Sequence, residues 1–305
     1  MSDQPAKALE ILGRIMADQK HKAKQSATII HLPFWPEPAR AVPNVFLRSA
    51  LFAAIQPNDR RYIDGEQIAA TDGTTIKFKG KQLTQKHLTV WMQLLHLVRS
   101  HPHATANDCP TRCEFTAHSF LKTLQLPTGN EQYKRLHDEL TDLQANSVEI
   151  TINGKTYFGS VIGDGVKDEV SRHYVLNINP NIALLLGANH YTLLDWDLRL
   201  RLGSKYLALA LLDLYASNAK PYPYTVEKLR ELTGSNAKSL RHYREKLRTA
   251  LDTLKAQGFL TSWQIDTADK VHVKKIASLS QQRRINRDRG RVAYISDITK
   301  AHRRS

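Results

Sequence analysis

"TGSNAKSLRHYREKLRTAL", residues 233–251, opens on a turn and then loads one short helical stretch with cations. Lys238, Arg241, Arg244, Lys246 and Arg248 face a single acid, Glu245, beside a regular apolar stripe of Leu240, Leu247 and Leu251. A helix advances about 100° per residue, so these leucines and Leu254 share one buried face, with Tyr243 at its edge. Lys238 and His242 then point away from the core, Arg241 and Arg248 flank that outer face on one side, and Lys246 lies on the other. Arg244 falls nearer the stripe and lays its stem over it. Gly234 supplies the tight turn, and Ser235 or Asn236 caps the helix while leaving backbone N–H groups for a phosphate. An α-helix of this kind fits the major groove of duplex DNA, where Arg reads guanine, Asn reads adenine, and flanking cations neutralise phosphates. The candidate DNA-binding residues here are Asn236, Lys238, Ser239, Arg241, His242 and Arg248. A solvated basic face is the plain alternative.

The whole chain leans the same way. Its 305 residues allow two ordinary domains, and 41% hydrophobic composition lets each bury a core. Lys and Arg number 44 against 29 Asp and Glu, a formal charge of +15 that favours polyanionic partners. No stretch approaches the roughly 20 consecutive apolar residues of a spanning helix, so no membrane is expected. The N-terminus does not read as a signal peptide. Cys109 and Cys113 make no disulfide framework, which fits a reducing cytoplasm.

Two segments repeat the same order of pieces. "YKRLHDELTDLQANSVEI" from Tyr133 has anchors at Leu136, Leu140, Leu143 and Val148; "YREKLRTALDTLKAQGFLTSW" from Tyr243 has them at Leu247, Leu251, Leu254 and Phe259. Upstream of each lies a short helix opened by Thr116 or Thr225, and before that a longer apolar helix, "LTVWMQLLHLVR" or "SKYLALALLDLYAS". Downstream of each come strand-patterned runs. Helix, helix, turn, longer helix and hairpin is the order of a winged helix, here seen twice. The expected fold is α+β, two tandem winged-helix domains. Residues 1–40 form a flexible arm, with "LPFWPEPARAVP" (32–43) an extended connector; 41–190 form the first domain; 191–279 the second; and 280–305 a basic tail.

The second domain's wing adds Lys270, His272, Lys274 and Lys275 to the candidate DNA-binding set. The first domain's long helix differs: between Asn130 and Asn146 it carries four acids against two Lys or Arg. Glu131, Lys134, Asp138, Thr141 and Asp142 are expected to be exposed opposite the leucines. Such a surface suits auxiliary DNA contact (Asn130, Lys134, Arg135) or protein contact, with self-association placed on this domain and its apolar "VWMQLLHL" segment.

"PNVFLRSALFAAI" from Pro43, "GKQLTQKHLTVWMQLLHLVR" from Gly80, "RLRLGSKYLALALLDLYAS" from Arg199 and "GFLTSWQI" from Gly258 resemble the TrfA family of plasmid replication initiators. The resemblance runs in order from about residue 30 to residue 276. It implies binding of origin repeats (iterons) as duplex DNA, opening of the origin to single strands, and action with host DnaA and the replicative helicase. It also implies an equilibrium between dimers and DNA-binding monomers. The family's sliding-clamp-binding pentapeptide has its nearest counterpart in Gln93-Leu94-Leu95-His96-Leu97, without the aromatic end. A winged-helix transcriptional repressor is the alternative that shares this DNA chemistry.

Enzyme readings find little support. Neither "GDGVKD" nor "FKGKQ" has the spacing of a P-loop, and no cofactor is expected. His101, His103, Cys109, Cys113 and His118 are zinc-capable, but their spacing matches no standard finger, so no metal is expected. A rolling-circle nicking endonuclease would need a His-hydrophobe-His metal site and a tyrosine nucleophile. His101-Pro102-His103 and Tyr243 with Lys246 imitate these ingredients without a base or metal in reach.

Overall fold

The computed structural model describes residues 29–276, apart from 72, 102, 103, 105–107, 188 and 189. In chain order the elements are β1 (Ile29–His31), β2 (Ala39–Pro43), α1 (Asn44–Leu47), β3 (Phe52–Ala53), β4 (Tyr62–Ile68), β5 (Thr74–Lys81), β6 (Leu83–Thr84) and α2 (Gln85–Arg99). They continue with β7 (Asp108–Pro110), β8 (Arg112–Thr116), α3 (Ala117–Thr123), α4 (Asn130–Ala145), β9 (Ser147–Ile152), β10 (Lys155–Gly159), β11 (Gly165–Lys167) and β12 (His173–Asn177). A 3-10 segment, Pro180–Leu186, leads to β13 (Tyr191–Asp195), α5 (Trp196–Leu202), α6 (Tyr206–Ala216), β14 (Tyr224–Thr225), α7 (Val226–Leu232), α8 (Leu240–Ala256), β15 (Leu260–Ile265) and β16 (Lys270–Lys275). None of the described helices is long and apolar enough to cross a membrane.

The repeated order of helix, strand, helix, long helix and hairpin is present twice, as α2 to β10 and α6 to β16. Local chemistry fixes the short helices. Thr116 Oγ1 accepts the Ser119 N–H at 3.1 Å to open α3, and Thr225 Oγ1 accepts the Lys228 N–H at 3.1 Å to open α7. Each long helix buries its leucines: Leu136, Leu140 and Leu143 in the first domain, Leu247, Leu251 and Leu254 in the second.

The two winged helices are dressed differently. In the second, β14, β16 and β15 form one three-stranded sheet, so the strand before α7 pairs with the wing. In the first, the wing strands join the β4–β5 hairpin in a sheet of order β10-β9-β5-β4, while β8 pairs instead with β12, whose other edge carries β11. The burial of β5 alternates along "TTIKFKGK", with Ile76 and Phe78 in the core and Lys77 and Lys79 outside, as a sheet with one wet face requires. This hairpin was not anticipated from the sequence.

The expected domain limits need correction at two points. Residues 30–40 are not wholly an arm: Ile30, Leu32 and Trp35 are core residues, and the Trp35 Nε1–H donates to His96 Nδ1 at 3.2 Å. The proline-rich stretch is extended, as its residues dictate, but it is packed rather than a free connector. Arg40 is buried, donates to Gln93 Oε1 at 3.1 Å and stacks 4.5 Å from the Trp196 ring. Nor does the first domain end at 190, because β13 pairs antiparallel with β2 and Leu194 and Trp196 lie in the first core. The crossing to the second domain falls within α5. The remainder of the expected arm and the basic tail at 280–305 lie outside the described residues.

Helix α2 is the spine of the first core. Trp91, Met92, Leu94 and Leu95 are essentially inaccessible, so "VWMQLLHL" is interior and offers no self-association surface. For the same reason Gln93 to His96 is a buried helical face, not an extended peptide that a sliding clamp could take.

At the far end of α2 the two domains are joined. Arg199 of α5 has a fully buried side chain. Its Nη1 donates to Asp213 Oδ1 at 2.7 Å, its Nη2 to Gln85 Oε1 at 2.9 Å and the Gln85 carbonyl at 3.1 Å, and its Nε to Thr89 Oγ1 at 2.9 Å. The Ala54 N–H donates to the Thr233 carbonyl at 2.7 Å, and Arg48 Nε donates to Ser217 Oγ at 2.9 Å. Gly234 has φ +59°, and a Cβ there would stand 2.8 Å from Ala53 Cβ, so the turn before α8 lies directly on the first domain.

Arg199→Met should leave the Asp213 carboxylate buried without its partner and lower the unfolding free energy by about 3–5 kcal/mol. Urea denaturation followed by circular dichroism measures this. A loss below about 1 kcal/mol, the scale of an exposed pair, would show that the junction is held by other contacts.

Candidate nucleic-acid interface

Helix α8 is built as a strongly two-faced element. Tyr243, Leu247, Ala250, Leu251 and Leu254 are buried, while Arg241, His242, Glu245, Lys246 and Arg248 are exposed. The Arg241 side chain is 90% exposed and sits 3.7 Å from Glu245; His242 Nδ1 is 3.8 Å from the same carboxylate. Such exposed pairs are weak and can open toward another anion. Lys238 and Asn236 are exposed in the loop before the helix.

Three details differ from the sequence reading. The cap is Ser239, whose Oγ accepts the His242 N–H at 3.2 Å; neither Ser235 nor Asn236 caps α8, because the helix starts at Leu240. Tyr243 lies at the centre of the core, not its edge, and its hydroxyl is 3.2 Å from Thr233 Oγ1. Burial raises that phenol well above its ordinary range, and an inaccessible, neutral hydroxyl is no nucleophile. Arg244 does not lie over the leucines; its Nε and Nη2 grip both oxygens of Asp269 at 3.1 and 2.8 Å. Asp269 holds the wing turn at φ +57°, so one bidentate pair ties the wing to α8.

The wing residues separate by strand alternation. Lys270 and Lys274 are exposed, and His272 lies on the same side of β16, its Nε2 2.8 Å from Asp266 Oδ2. Lys275 falls on the other side with buried Val271. Its ammonium is 6.0 Å from the centre of the Phe259 ring, and burial lowers its pKa to about 8. Lys275 is therefore a core-facing residue, not an outward cation like Lys270 and Lys274.

In the first domain the auxiliary candidates are mostly committed. Asn130 Oδ1 accepts from Arg172 Nη2 at 2.9 Å, and Arg135 pairs with Glu131; Lys134 is exposed. Asp142, expected on the outer face, is half-buried between Arg60 at 2.5 Å and His87 at 3.2 Å. Burial would raise its carboxyl, but hydrogen bonds from His87 and Arg60 outweigh this and hold it at about 2. Glu139 is buried against Lys86 at 2.5 Å. Two of the four acids of α4 are thus neutralised from α2 and the loop before β4, and the outer face is less acidic than the sequence suggests.

Of the zinc-capable residues, Cys113 is buried, with its thiol pushed up to about 12, and His118 is exposed 3.4 Å from the Tyr133 hydroxyl. His103 lies outside the described residues, and of Cys109 only its place in β7 is described. Among the described residues no group of three or more metal-capable side chains converges.

A family model described as "TrfA protein" matches residues 6–275. The plasmid replication initiator protein TrfA of Escherichia coli is 26% identical over 289 residues, covering 86% of this chain and 72% of that protein. A crystal structure of domains 2 and 3 of RctB matches 76% of this chain and 98% of its own, at 12% identity and a TM-score of 0.55, a likeness of fold. The Pi initiator protein solved with iteron DNA matches 55% of this chain and 82% of its own, at 14% identity and a TM-score of 0.44.

Asp269→Ala should free Arg244 and the wing turn, so hydrogen exchange at Ala268 and Lys270 should accelerate while the thermal midpoint barely moves; unchanged exchange would show that the wing is held without this pair. The depressed Asp142 carboxyl contributes stability that is present above its unfolded value of about 4 and is lost as pH falls through about 2. Asp142→Asn should therefore flatten the fall in stability between those pH values, and an unchanged acid profile would remove the assignment.

Proposed function

The chain belongs to the TrfA family, and from that premise we propose that it is a plasmid replication initiator that binds iterons at its origin as duplex DNA. The observation that carries this reading is the outer face of α8. Arg241, Lys246 and Arg248 stand exposed on a helix whose other face is pinned in a core, beside a wing that adds Lys270 and Lys274. Asn236, Lys238, Ser239 and His242 complete the reading surface, and His272 reaches the backbone once Asp266 is displaced. Lys134 supplies an auxiliary contact from the first domain, with Asn130 and Arg135 beside it.

On this reading the bound protein promotes strand opening, touches the resulting single strands, and works with host DnaA and the replicative helicase in the bacterial cytoplasm. It acts by binding, not by enzymatic chemistry. It passes between dimer and monomer, with self-association in the first domain, where Phe158 stands 75% exposed on the edge strand β10. Sedimentation of the full chain over a range of concentrations tests this, since a cut at residue 190 would strip β13 from the first domain. A single monomeric species throughout would remove that part of the reading.

The deciding experiment pairs plasmid maintenance with footprinting. The gene and its origin should sustain a plasmid in a suitable host, with periodic protection of the repeats and permanganate-reactive bases beside them. A transcriptional repressor would protect DNA without sustaining replication. Arg241→Ala should cost about 1–3 kcal/mol of binding and relax preference at one position. Lys274→Ala should weaken specific and random DNA alike and flatten the salt dependence. Equal losses on both DNAs for Arg241→Ala would end its assignment as a base reader.

A further inference from the structure

A second concave site lies in the first domain, away from α8. At the start of α4 a recess of about 200 Å³ is lined by Lys134, His137, Lys167, Arg172 and Tyr174, with Asn130 and Tyr133 at its side. Its charged lining is cationic throughout, and the nearest carboxylate partner is Glu169, 2.6 Å from the Lys167 ammonium and itself 76% exposed. The Arg172 guanidinium is stacked 4.4 Å over the Tyr133 ring and bonded to Asn130, so it is held in place before any ligand arrives. Helix α4 begins after Gly129, which has no side chain to cap it, leaving its first N–H groups outside the helical ladder.

The buried side of the recess is the telling part. Tyr174 is only 2% exposed, yet its hydroxyl has no hydrogen-bond partner among the described residues, and neither has the buried Nδ1 of His137. A polar atom sealed from water and left unpaired destabilises a fold, and natural proteins seldom keep one without a partner. One acceptor oxygen can satisfy both atoms, with His137 as its Nδ1–H tautomer, and the cationic lining and helix N-terminus favour one that carries negative charge.

The geometry points to a phosphate-binding recess in the first domain, in which Tyr174 and His137 donate from the floor while Lys134, Lys167 and Arg172 surround the anion. The phosphate can come from a free nucleotide or from the DNA backbone, and only the second source rests on the DNA-binding reading. Tyr174 is stacked on Phe115 at 5.3 Å, so Tyr174→Phe keeps the packing and removes only the hydroxyl. Lys134 is exposed, so Lys134→Ala leaves the fold intact.

The full chain is titrated by calorimetry with inorganic phosphate and with deoxyadenosine 5′-monophosphate, against chloride at equal ionic strength. Binding that each variant weakens about five-fold or more, with thermal midpoints that do not fall, assigns the free anion. In a second arm, duplexes carrying the protected repeats have single phosphates replaced by uncharged methylphosphonates. A position that costs the unaltered chain affinity, but costs neither variant any, assigns the backbone. If neither anion binds and every methylphosphonate penalty persists in both variants, the recess is not a phosphate site. Failure to bind any repeat would overturn the DNA-binding reading, while the calorimetric arm would still decide the recess.

Discussion

A guanidinium sealed away from water needs acceptors for the donors it buries, and Arg199 finds four of them in two domains at once. Its carboxylate partner, Asp213, belongs to the second domain, while Gln85 and Thr89 belong to the first turns of the first domain's central helix. Removing either side would leave charge or dipole stranded in a region with no solvent to compensate. Helix α2 presents these acceptors from its first turns, where a capping box pairs Thr84 with His87 and the Thr84 N–H donates to His87 Nδ1. The same acceptors also account for the burial of Arg199 between Leu198 and Leu202 on the inner face of the short helix α5.

Charge is handled by a different rule at the surface. Of the cations of α8, Arg244 is spent on Asp269 while Arg241, Lys246 and Arg248 are left outside, whereas several of the first domain are spent on neighbouring carboxylates: Arg60 on Asp142, Lys86 on Glu139, Lys79 on Asp64. A net charge of +15 is therefore not spread evenly over the molecule. Among the described residues, exposed cations without a close carboxylate gather on the outer face of α8, a distribution that draws a polyanion to that side.

The long helices, their leucine faces and the Thr caps were legible because each depends on residues within a few positions of one another. Leu247, Leu251 and Leu254 declare a helix face regardless of what covers it. What was not legible depended on partners distant in sequence. Nothing near Lys77 says that its strand pairs with Glu149 of the wing, and nothing near Asp142 says that Arg60 lies beside it. Lys275 looked like its neighbour Lys274 until pairing across from β15 settled which side of the strand faces the core. Lys167 and Arg172 carry no local signal, because only tertiary packing brings the β11–β12 turn to the start of α4. The one clue within reach was Gly234, whose role was read as a local turn when its missing side chain also makes room for Ala53.

That close approach has a mechanical consequence. The turn that sets the direction of α8 is in contact with the opposite domain, with no side chain between them to act as a cushion. The two long helices α4 and α8 are thus held like the jaws of a caliper fixed at one opening. A duplex gripped by both would be read for the angular position of its features as much as for their identity. One inserted base pair turns the following sequence by about 34°, since B-DNA repeats about every 10.5 base pairs. A protein with a loose linker could follow that rotation; this one would have to break the Gly234 and Arg199 contacts to do so.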